Sequence, residues 1–392
     1  MDAVLLRRQE KERYLDKIRG SLIGGAAGDA LGYAVEFLSL SAILQRYGEE
    51  GITSYAPHPV SGEALISDDT QMTLFTANGI LIGETRRRMR GIGARPHEYV
   101  EAAYLDWLST QETDCRAAAE KRCQTVSWLM DVPGLYCRRA PGNTCLSAMR
   151  NVRNDVYDSD LFGNVRNLSK GCGGVMRVAP LGLHFSNVPI ETLDREGGAI
   201  AALTHGHPLG YLPAAALTHI IHRIVYPTDA AMTLREIIAE ALDTVARVFD
   251  CDRDMTVFRA LTEKAVKLAD NRNDDRTNIR LLGEGWVAEE ALAIAVYCAV
   301  RYEHDFSAGI IAAVNHDGDS DSTGAIAGNI LGAIHGYGAM DDKWKCGLEL
   351  SDVILEMADD LCYGCMMSET SEYRDPAWES KYIRGRRYHG AD

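Results

Sequence analysis

Apolar residues recur at spacings of three and four along most of the chain, whereas two-residue alternation bounded by turn residues is scarce. This pattern predicts an all-α protein. Helices are expected over residues 11–34, 68–84, 95–110, 113–130, 190–203, 209–225, 232–249, 254–269, 286–301, 305–314, 322–337 and 349–364. The longest uncharged apolar run, Ala291 to Val300, lies between Glu290 and Arg301. It is half of the roughly 20 residues that span a bilayer, so it reads as a buried core helix and no membrane partner is expected. Two helices carry glycine at every fourth position: Gly24, Gly28 and Gly32 upstream, and Gly324, Gly328, Gly332 and Gly336 downstream. Each set lines one face. A glycine inside a helix costs about 0.8–1 kcal/mol relative to alanine, so close helix packing, or backbone approach to a ligand, must offset it.

Composition narrows the function classes. The 392 residues include 41 Lys and Arg against 56 Asp and Glu, a formal net charge of −15, which repels anionic polymers and disfavours nucleic acid as a partner. With 46% hydrophobic and 25% charged residues the chain can bury a large core. No internal repeat or Pro/Ser-rich linker divides it, so residues 1–366 read as one domain and 367–392 as a polar tail. The opening MDAVLLRRQEKER shows neither an apolar stretch nor a cleavage pattern, which places the chain in the cytosol. The ten cysteines are scattered, and free thiols are the default in a reducing compartment. Cys362 and Cys365 form one CxxC with no second pair and no adjacent histidine, which suits two packed cysteines near a helix end better than a zinc or redox centre. Arg86, Arg87, Arg88 and Arg90 read as a solvated helix end, where cations suit the macrodipole.

The strongest chemical signal is Asn315-His316-Asp317-Gly318-Asp319-Ser320-Asp321-Ser322-Thr323-Gly324, just before the downstream glycine helix. Aspartates this close repel unless a cation sits among them. An EF-hand loop would need Gly at the sixth position from Asp317 and Glu at the twelfth, where the chain has Ser322 and Gly328. The Asp-x-Asp-x-Thr of a haloacid-dehalogenase phosphatase matches Asp319 to Thr323 but would follow a buried strand early in an α/β domain. Helix capping by Asp321 or Ser322 explains one or two of these residues only. A second cluster, Ser67-Asp68-Asp69-Thr70-Gln71, also opens an amphipathic helix. Two such hydroxyl-plus-aspartate clusters at helix starts fit hard divalent cations, magnesium, manganese or calcium, held by oxygen alone in a two-metal site.

These segments together resemble the ADP-ribosylglycohydrolase family, which includes the dinitrogenase reductase-activating glycohydrolases and ADP-ribosyl-acceptor hydrolases. The resemblance is carried, in order, by Gly24-Gly25-Ala26-Ala27-Gly28-Asp29-Ala30-Leu31-Gly32 with Glu36, by Ser67-Asp68-Asp69-Thr70, by Gly171-Cys172-Gly173-Gly174-Val175-Met176-Arg177, and by Gly318-Asp319-Ser320-Asp321-Ser322. Thr204-His205-Gly206-His207-Pro208 resembles the family's histidine-containing segment. The resemblance implies a compact all-α orthogonal helical bundle with a dinuclear site for two magnesium or manganese ions. It places metal ligands at Ser67, Asp68, Asp69, Asp319, Asp321 and Ser322. Serine stands at 67 and 322 where threonine is common, and either hydroxyl ligates through oxygen. Asp317 stands where the family often has glycine, and reads as solvated rather than as a tuning charge.

Glu36 matches the family's glutamate that helps position or activate water, and Asp68, Asp69 and Glu36 are the candidate catalytic carboxylates. Gly171, Cys172, Gly173, Gly174 and Met176 match the loop that contacts ribose and diphosphate; glycines there let backbone N–H groups approach phosphate. His205 matches a residue beside the ribose, while His207 and His219 read as structural. The implied activity is hydrolysis of the bond between ADP-ribose and a protein side chain, with arginine the expected acceptor. The alternatives are O-linked substrates (serine, poly(ADP-ribose) or small esters) and a non-catalytic ADP-ribose-binding relative. The expected partner is an ADP-ribosylated protein, and the oligomeric state is not legible.

Overall fold

The computed structural model describes residues 2–115, 125–154, 161–162, 167–228 and 232–383. Among the described residues there are 18 α-helices and no strand. In chain order they are α1 (Asp2–Glu12), α2 (Leu15–Tyr33), α3 (Leu40–Tyr47), α4 (Asp68–Arg90), α5 (Pro96–Glu112), α6 (Asn143–Arg153), α7 (Ala179–His184), α8 (Ile190–Ala202), α9 (Pro208–Val225), α10 (Leu234–Val248), α11 (Asp252–Leu268), α12 (Asp275–Arg280), α13 (Ala288–Arg301), α14 (Phe306–Val314), α15 (Ser320–His335), α16 (Asp342–Lys345), α17 (Ser351–Tyr363) and α18 (Pro376–Tyr382).

The long helices fall where the three-and-four periodicity puts them, with informative differences at their ends. The span expected as 11–34 corresponds to α2, while α1 lies almost wholly upstream of it and was not expected; Arg13 and Tyr14 separate the two. Helix α4 runs six residues past the expected end, so that Arg87, Arg88 and Arg90 sit in its last turn against the C-terminal carbonyls. It stops at Gly91, whose φ of 64° is left-handed and whose N–H donates to the Arg87 carbonyl. The helix expected over 113–130 lies largely outside the described residues; its described end is not α-helical, with residues 125–127 irregular and a 3-10 turn at Trp128–Asp131. Helices α3, α6, α7, α12, α16 and α18 were also not expected. Most are short and half-exposed, with too few apolar positions for a period to show. In α18, inside the stretch read as a polar tail, Trp378 and Tyr382 are buried and the Trp378 indole donates to Thr85 Oγ1 on α4.

Helices α2 and α15 form the axis of the molecule. They run antiparallel with their glycines facing: a Cβ on Gly28 would overlap the Gly324 carbonyl, one on Gly24 the Gly328 carbonyl, and one on Gly20 the Gly332 carbonyl. The two small-residue stripes therefore meet each other, and backbone contact replaces side-chain contact along both. Both helices are buried on nearly every side, the remaining faces being covered by α4, α14, α13 and α17. Within the core, Ser21 Oγ donates to the Asn329 carbonyl and Asn329 Nδ2 to the Ser21 carbonyl, 3.0 and 2.8 Å, pinning the register. Where α2 ends, the N-termini of α4 and α15 arrive beside it, and the acidic segments meet there.

The other cysteine motif is structural in its contacts. Cys362 donates to the Lys11 carbonyl at 3.2 Å near the end of α17, Cys365 lies buried beyond it, and both are free thiols. Among the described residues no helix is long and apolar enough to cross a membrane.

Candidate metal and active site

Ser67 caps α4. Its hydroxyl accepts the Asp69 N–H at 3.1 Å, so Asp68 and Asp69 occupy the first turn, where the helix dipole favours negative charge. Asp319 caps α15 in the same way, accepting the Ser322 N–H at 3.3 Å, and the helix begins at Ser320, two residues earlier than the periodicity indicated. The loop before it is seated by Gly318, whose φ of 146° and lack of side chain let the chain pass against the Glu284 carbonyl; the Asp319 N–H donates to that carbonyl at 2.9 Å. Glu36 follows α2 in a turn whose next segment is tied back by Asp317: its Oδ1 accepts the Leu40 N–H at 2.7 Å. Asp317 is exposed, as expected of a solvated charge, and also anchors the start of α3.

These elements bring Glu36, Ser67, Asp68, Asp69, Asp319, Asp321 and Ser322 into one buried cluster. None is more than 7% exposed. Ligand atoms of Glu36, Asp319 and Asp321 lie within 4.8 Å of one another, so Glu36 stands inside the acidic group, not behind it. Asp321 Oδ1 accepts the Ser322 N–H at 2.9 Å, and Asp69 Oδ2 accepts the Ser67 hydroxyl at 3.3 Å. Asp68 ties the cluster to the segment before α6: its N–H donates to the Arg139 carbonyl at 3.0 Å and its Oδ2 faces the Gly142 N–H at 3.4 Å.

Without a counter-charge such a group resists ionisation. Burial, then the charges of Asp319, Asp68 and Asp29, pushes Glu36 up to about 8. Burial and their neighbours likewise hold Asp68, Asp69 and Asp321 well above the ordinary carboxylate range. Two oxygens, Glu36 Oε2 and Asp69 Oδ1, are buried with no hydrogen-bond partner. Unsatisfied buried carboxylate oxygens on two of the three segments that meet here are what a hard divalent cation would complete, and the carboxylate-and-hydroxyl donor set fits one.

Asp29 entered the sequence analysis only as part of the first glycine motif, with no role of its own. It is fully buried on α2 and accepts the Ser67 N–H, the Thr70 N–H at 3.1 Å and the Thr70 hydroxyl at 2.5 Å. Burial raises it to about 6 even against those hydrogen bonds. The available signal was chemical: an acid in a stretch, Gly20 to Gly32, otherwise made of apolar and small residues must find donors.

The glycine loop runs past the cluster as a 3-10 turn from Cys172 to Arg177. The Gly171 and Cys172 N–H groups are already engaged, with Ser169 Oγ and the Trp286 carbonyl, so these two do not supply the anion-binding amides expected of the loop. Met176 is buried, with its sulfur 3.8 Å from the Ser322 hydroxyl, so the loop touches the acidic cluster there. Cys172 Sγ lies 2.7 Å from Asp319 Oδ2. His205 lies against the loop: a Cβ on Gly171 or Gly173 would come within 3.2 or 3.0 Å of its ring, which glycine avoids. Burial and the nearby Arg177 charge depress His205 to about 3, so the imidazole is neutral. His207 caps α9, accepting the Leu209 N–H, and His219 pairs with Asp194 at 2.9 Å inside the core. A separate cavity of about 670 Å³ opens between α4, α5 and α8 around Glu84, Arg87, Tyr99 and Arg195. It is about 24 Å from Asp68 along the rise of α4 and is remote from the carboxylates.

The model of the ADP-ribosylglycohydrolase family matches residues 10–370. The chain is similar to the ADP-ribosyl-[dinitrogen reductase] glycohydrolase of Rhodospirillum rubrum, 23% identical over 86% of this chain and 91% of that one. It is similar also to ADP-ribosylhydrolase ARH3 of Bos taurus, 23% identical over 88% and 92%, and to ADP-ribosylarginine hydrolase Tri1 of Serratia proteamaculans, 24% identical over 89% and 80%. Among solved structures, an ADP-ribosylglycohydrolase-related protein complex superposes with a TM-score of 0.57 at 23% identity, covering 91% of this chain and 100% of that one, and shares the fold.

Proposed function

The chain belongs to the ADP-ribosylglycohydrolase family, hydrolases of glycosyl bonds that remove ADP-ribose from modified substrates, and from that premise we propose that it cleaves the N-glycosidic bond between ADP-ribose and arginine side chains of proteins. The observation that carries this reading is the charge of the site. Five buried carboxylates converge (Glu36, Asp68, Asp69, Asp319 and Asp321), and two dications would leave one negative charge over. An arginine acceptor arrives as a cationic guanidinium, which that surplus attracts, whereas a serine acceptor is neutral. The name of the Serratia relative, an ADP-ribosylarginine hydrolase, points the same way.

Ser67, Asp68, Asp69, Asp319, Asp321 and Ser322 would hold two magnesium or manganese ions. Bound there, such ions supply charge stabilisation to the ribose hydroxyls and lower the pKa of water. Glu36 keeps a lone pair free in Oε2, and it takes the proton of the water that attacks the anomeric carbon as the bond to the guanidino nitrogen breaks. Gly173, Gly174 and His205 shape the ribose side, with the neutral imidazole acting as a hydrogen-bond donor.

The test is to incubate the full chain with magnesium or manganese and arginine-ADP-ribosylated protein, and to measure free ADP-ribose. Release that Asp68→Asn and Asp321→Asn each lower by at least about a thousandfold supports the reading. Release from serine-linked or ester-linked substrate with none from arginine overturns the arginine assignment.

A further inference from the structure

The cavity between α4, α5 and α8 takes no part in the hydrolysis, yet its volume of about 670 Å³ is that of a small-molecule site. Its floor is core: Ile80, Tyr99, Leu181 and Leu193 line it and are buried. Tyr99 is fixed at both ends. Its ring lies where a Cβ on Gly83 would come within 2.6 Å, and its hydroxyl accepts the Ala94 N–H at 3.3 Å. This wall is formed before any ligand arrives, which lowers the ordering cost of binding.

Four arginines and three glutamates also line the cavity, and the acids are accounted for. Glu84 faces His184 at 3.1 Å, Glu196 faces His97 at 2.8 Å, and Glu191 stands 3.8 Å from Arg247. Among the described residues, Arg87 on α4, Arg95 at the start of α5 and Arg195 on α8 have no carboxylate within ion-pair distance. Two of them are steadied by other means. The stem of Arg87 lies against Gly93, where a Cβ would come within 3.1 Å of it, and Arg195 lies over the Phe162 ring at 5.2 Å. In a chain of net charge −15, three arginines without acidic partners around one apolar recess are a local reversal of sign.

We propose that this cavity is a second binding site, for an amphipathic organic anion with an apolar body on the floor of Ile80, Leu181 and Leu193 and a single anionic head among Arg87, Arg95 and Arg195. Guanidinium forks match a carboxylate or sulfonate head through paired hydrogen bonds. An uncharged lipid would leave the arginines without a partner, and an inorganic anion would leave the floor wet, so the site selects for both halves together. The assignment is independent of the metal reading, because no residue of the acidic cluster lines the cavity.

The full chain is titrated with anilinonaphthalene sulfonate, whose fluorescence rises in an apolar site, and the bound probe is displaced with decanoate, decanol, inorganic phosphate or ADP-ribose. The titration is repeated on the double variant Arg87→Gln with Arg195→Gln, and on Thr192→Trp, which sets an indole into the cavity lining from an exposed position of α8. Thermal unfolding verifies that both variants fold, and the competition on wild type decides the matter where one does not. The expected result is one probe per chain, displaced by decanoate at least about tenfold more readily than by decanol and not by phosphate or ADP-ribose. Affinity is expected to fall about tenfold in the double variant and to vanish in Thr192→Trp. Absence of probe binding to wild type, or an affinity unchanged in either folded variant, overturns the proposal. Displacement by decanol as readily as by decanoate, or by phosphate alone, overturns the amphipathic anion, and displacement by ADP-ribose puts the probe in the catalytic site and overturns the second site.

Discussion

The Asp29 carboxylate on α2 accepts both the backbone N–H and the hydroxyl of Thr70 on α4, and these hydrogen bonds, with those from Ser67, set the angle at which Asp68 and Asp69 enter the acidic cluster. Asp29 contributes no ligand itself. It acts as an external cap for the helix that does. Asp29→Asn would turn an amide N–H2 toward buried donors and leave at least one of them unsatisfied. The expected cost is about 3 kcal/mol of folding stability, together with weakened Mn2+ binding. Chemical unfolding and calorimetry measure the two effects; a variant that binds Mn2+ as tightly as wild type would show that Asp29 does not orient the helix start.

The facing glycines of α2 and α15 make a second demand. A Cβ at position 28 meets the Gly324 carbonyl, a backbone atom that moves only if the helices separate. Gly28→Ala is therefore expected to destabilise the protein by about 3 kcal/mol, although alanine is the better helix former. Because Gly28 precedes Asp29, the separation also draws the Asp29 carboxylate away from Ser67 and Thr70. Thermal unfolding is the measurement. Unchanged or raised stability would mean that the two backbones are not in contact.

The reach of the sequence can be judged from these residues. Both glycine stripes were visible as periodic patterns, and so was the need for something to offset their cost; that they pack on each other was not, because nothing local pairs Gly28 with Gly324. The hydroxyl–aspartate clusters at 67–69 and 319–322 announced oxygen chemistry at two helix starts, since spacing and residue type are local properties. The role of Asp29 stayed hidden, because it depends on neighbours 38–41 residues away. Asp317 was read as solvated and is exposed, but its hydrogen bond with the Leu40 N–H, 277 residues away, was not legible. Local pattern reported which groups had unmet needs, and tertiary packing decided what met them.

Thr204 couples the buried Arg177 to His205. The Arg177 guanidinium, which can only donate, gives a 2.6 Å hydrogen bond to Thr204 Oγ1, and that oxygen lies 2.8 Å from His205 Nδ1. The hydroxyl has a second lone pair as well as its proton, so it can either accept from Nδ1–H or donate to Nδ1; the expected arrangement is donation, which leaves the proton of the neutral ring on Nε2, the nitrogen that faces Gly171 and Gly173. Thr204→Val keeps the shape and removes the donor. ADP-ribose binding is expected to weaken about tenfold, and Thr204→Ser to restore it. Nitrogen chemical shifts of the imidazole report the tautomer directly, which a merely structural defect would leave unchanged; equal shifts in wild type and Thr204→Val would refute the coupling.

Glu84, far along α4 from the acidic cluster, supplies a pH-dependent part of the stability. Its Oε2 is 3.1 Å from His184 Nε2 and accepts the Cys365 N–H at 3.1 Å, joining α4 to α7 and to the chain after α17. Burial alone would raise its pKa, but the His184 charge and hydrogen bond, the Cys365 N–H and the Lys11 charge outweigh it and lower the group to about 2. A carboxyl whose folded pKa lies below its unfolded value of 4.5 stabilises the fold fully above pH 4.5. That contribution disappears as pH falls through 2, because the unfolded chain takes up the proton first. The difference corresponds to about 3 kcal/mol at neutral pH. Glu84→Gln should therefore be less stable than wild type by about that amount at pH 7, with the gap closing between about pH 4.5 and 2. Urea unfolding at a series of pH values measures it. A gap that stays constant down to pH 2 would mean that the charge of Glu84 is not what holds these three segments together.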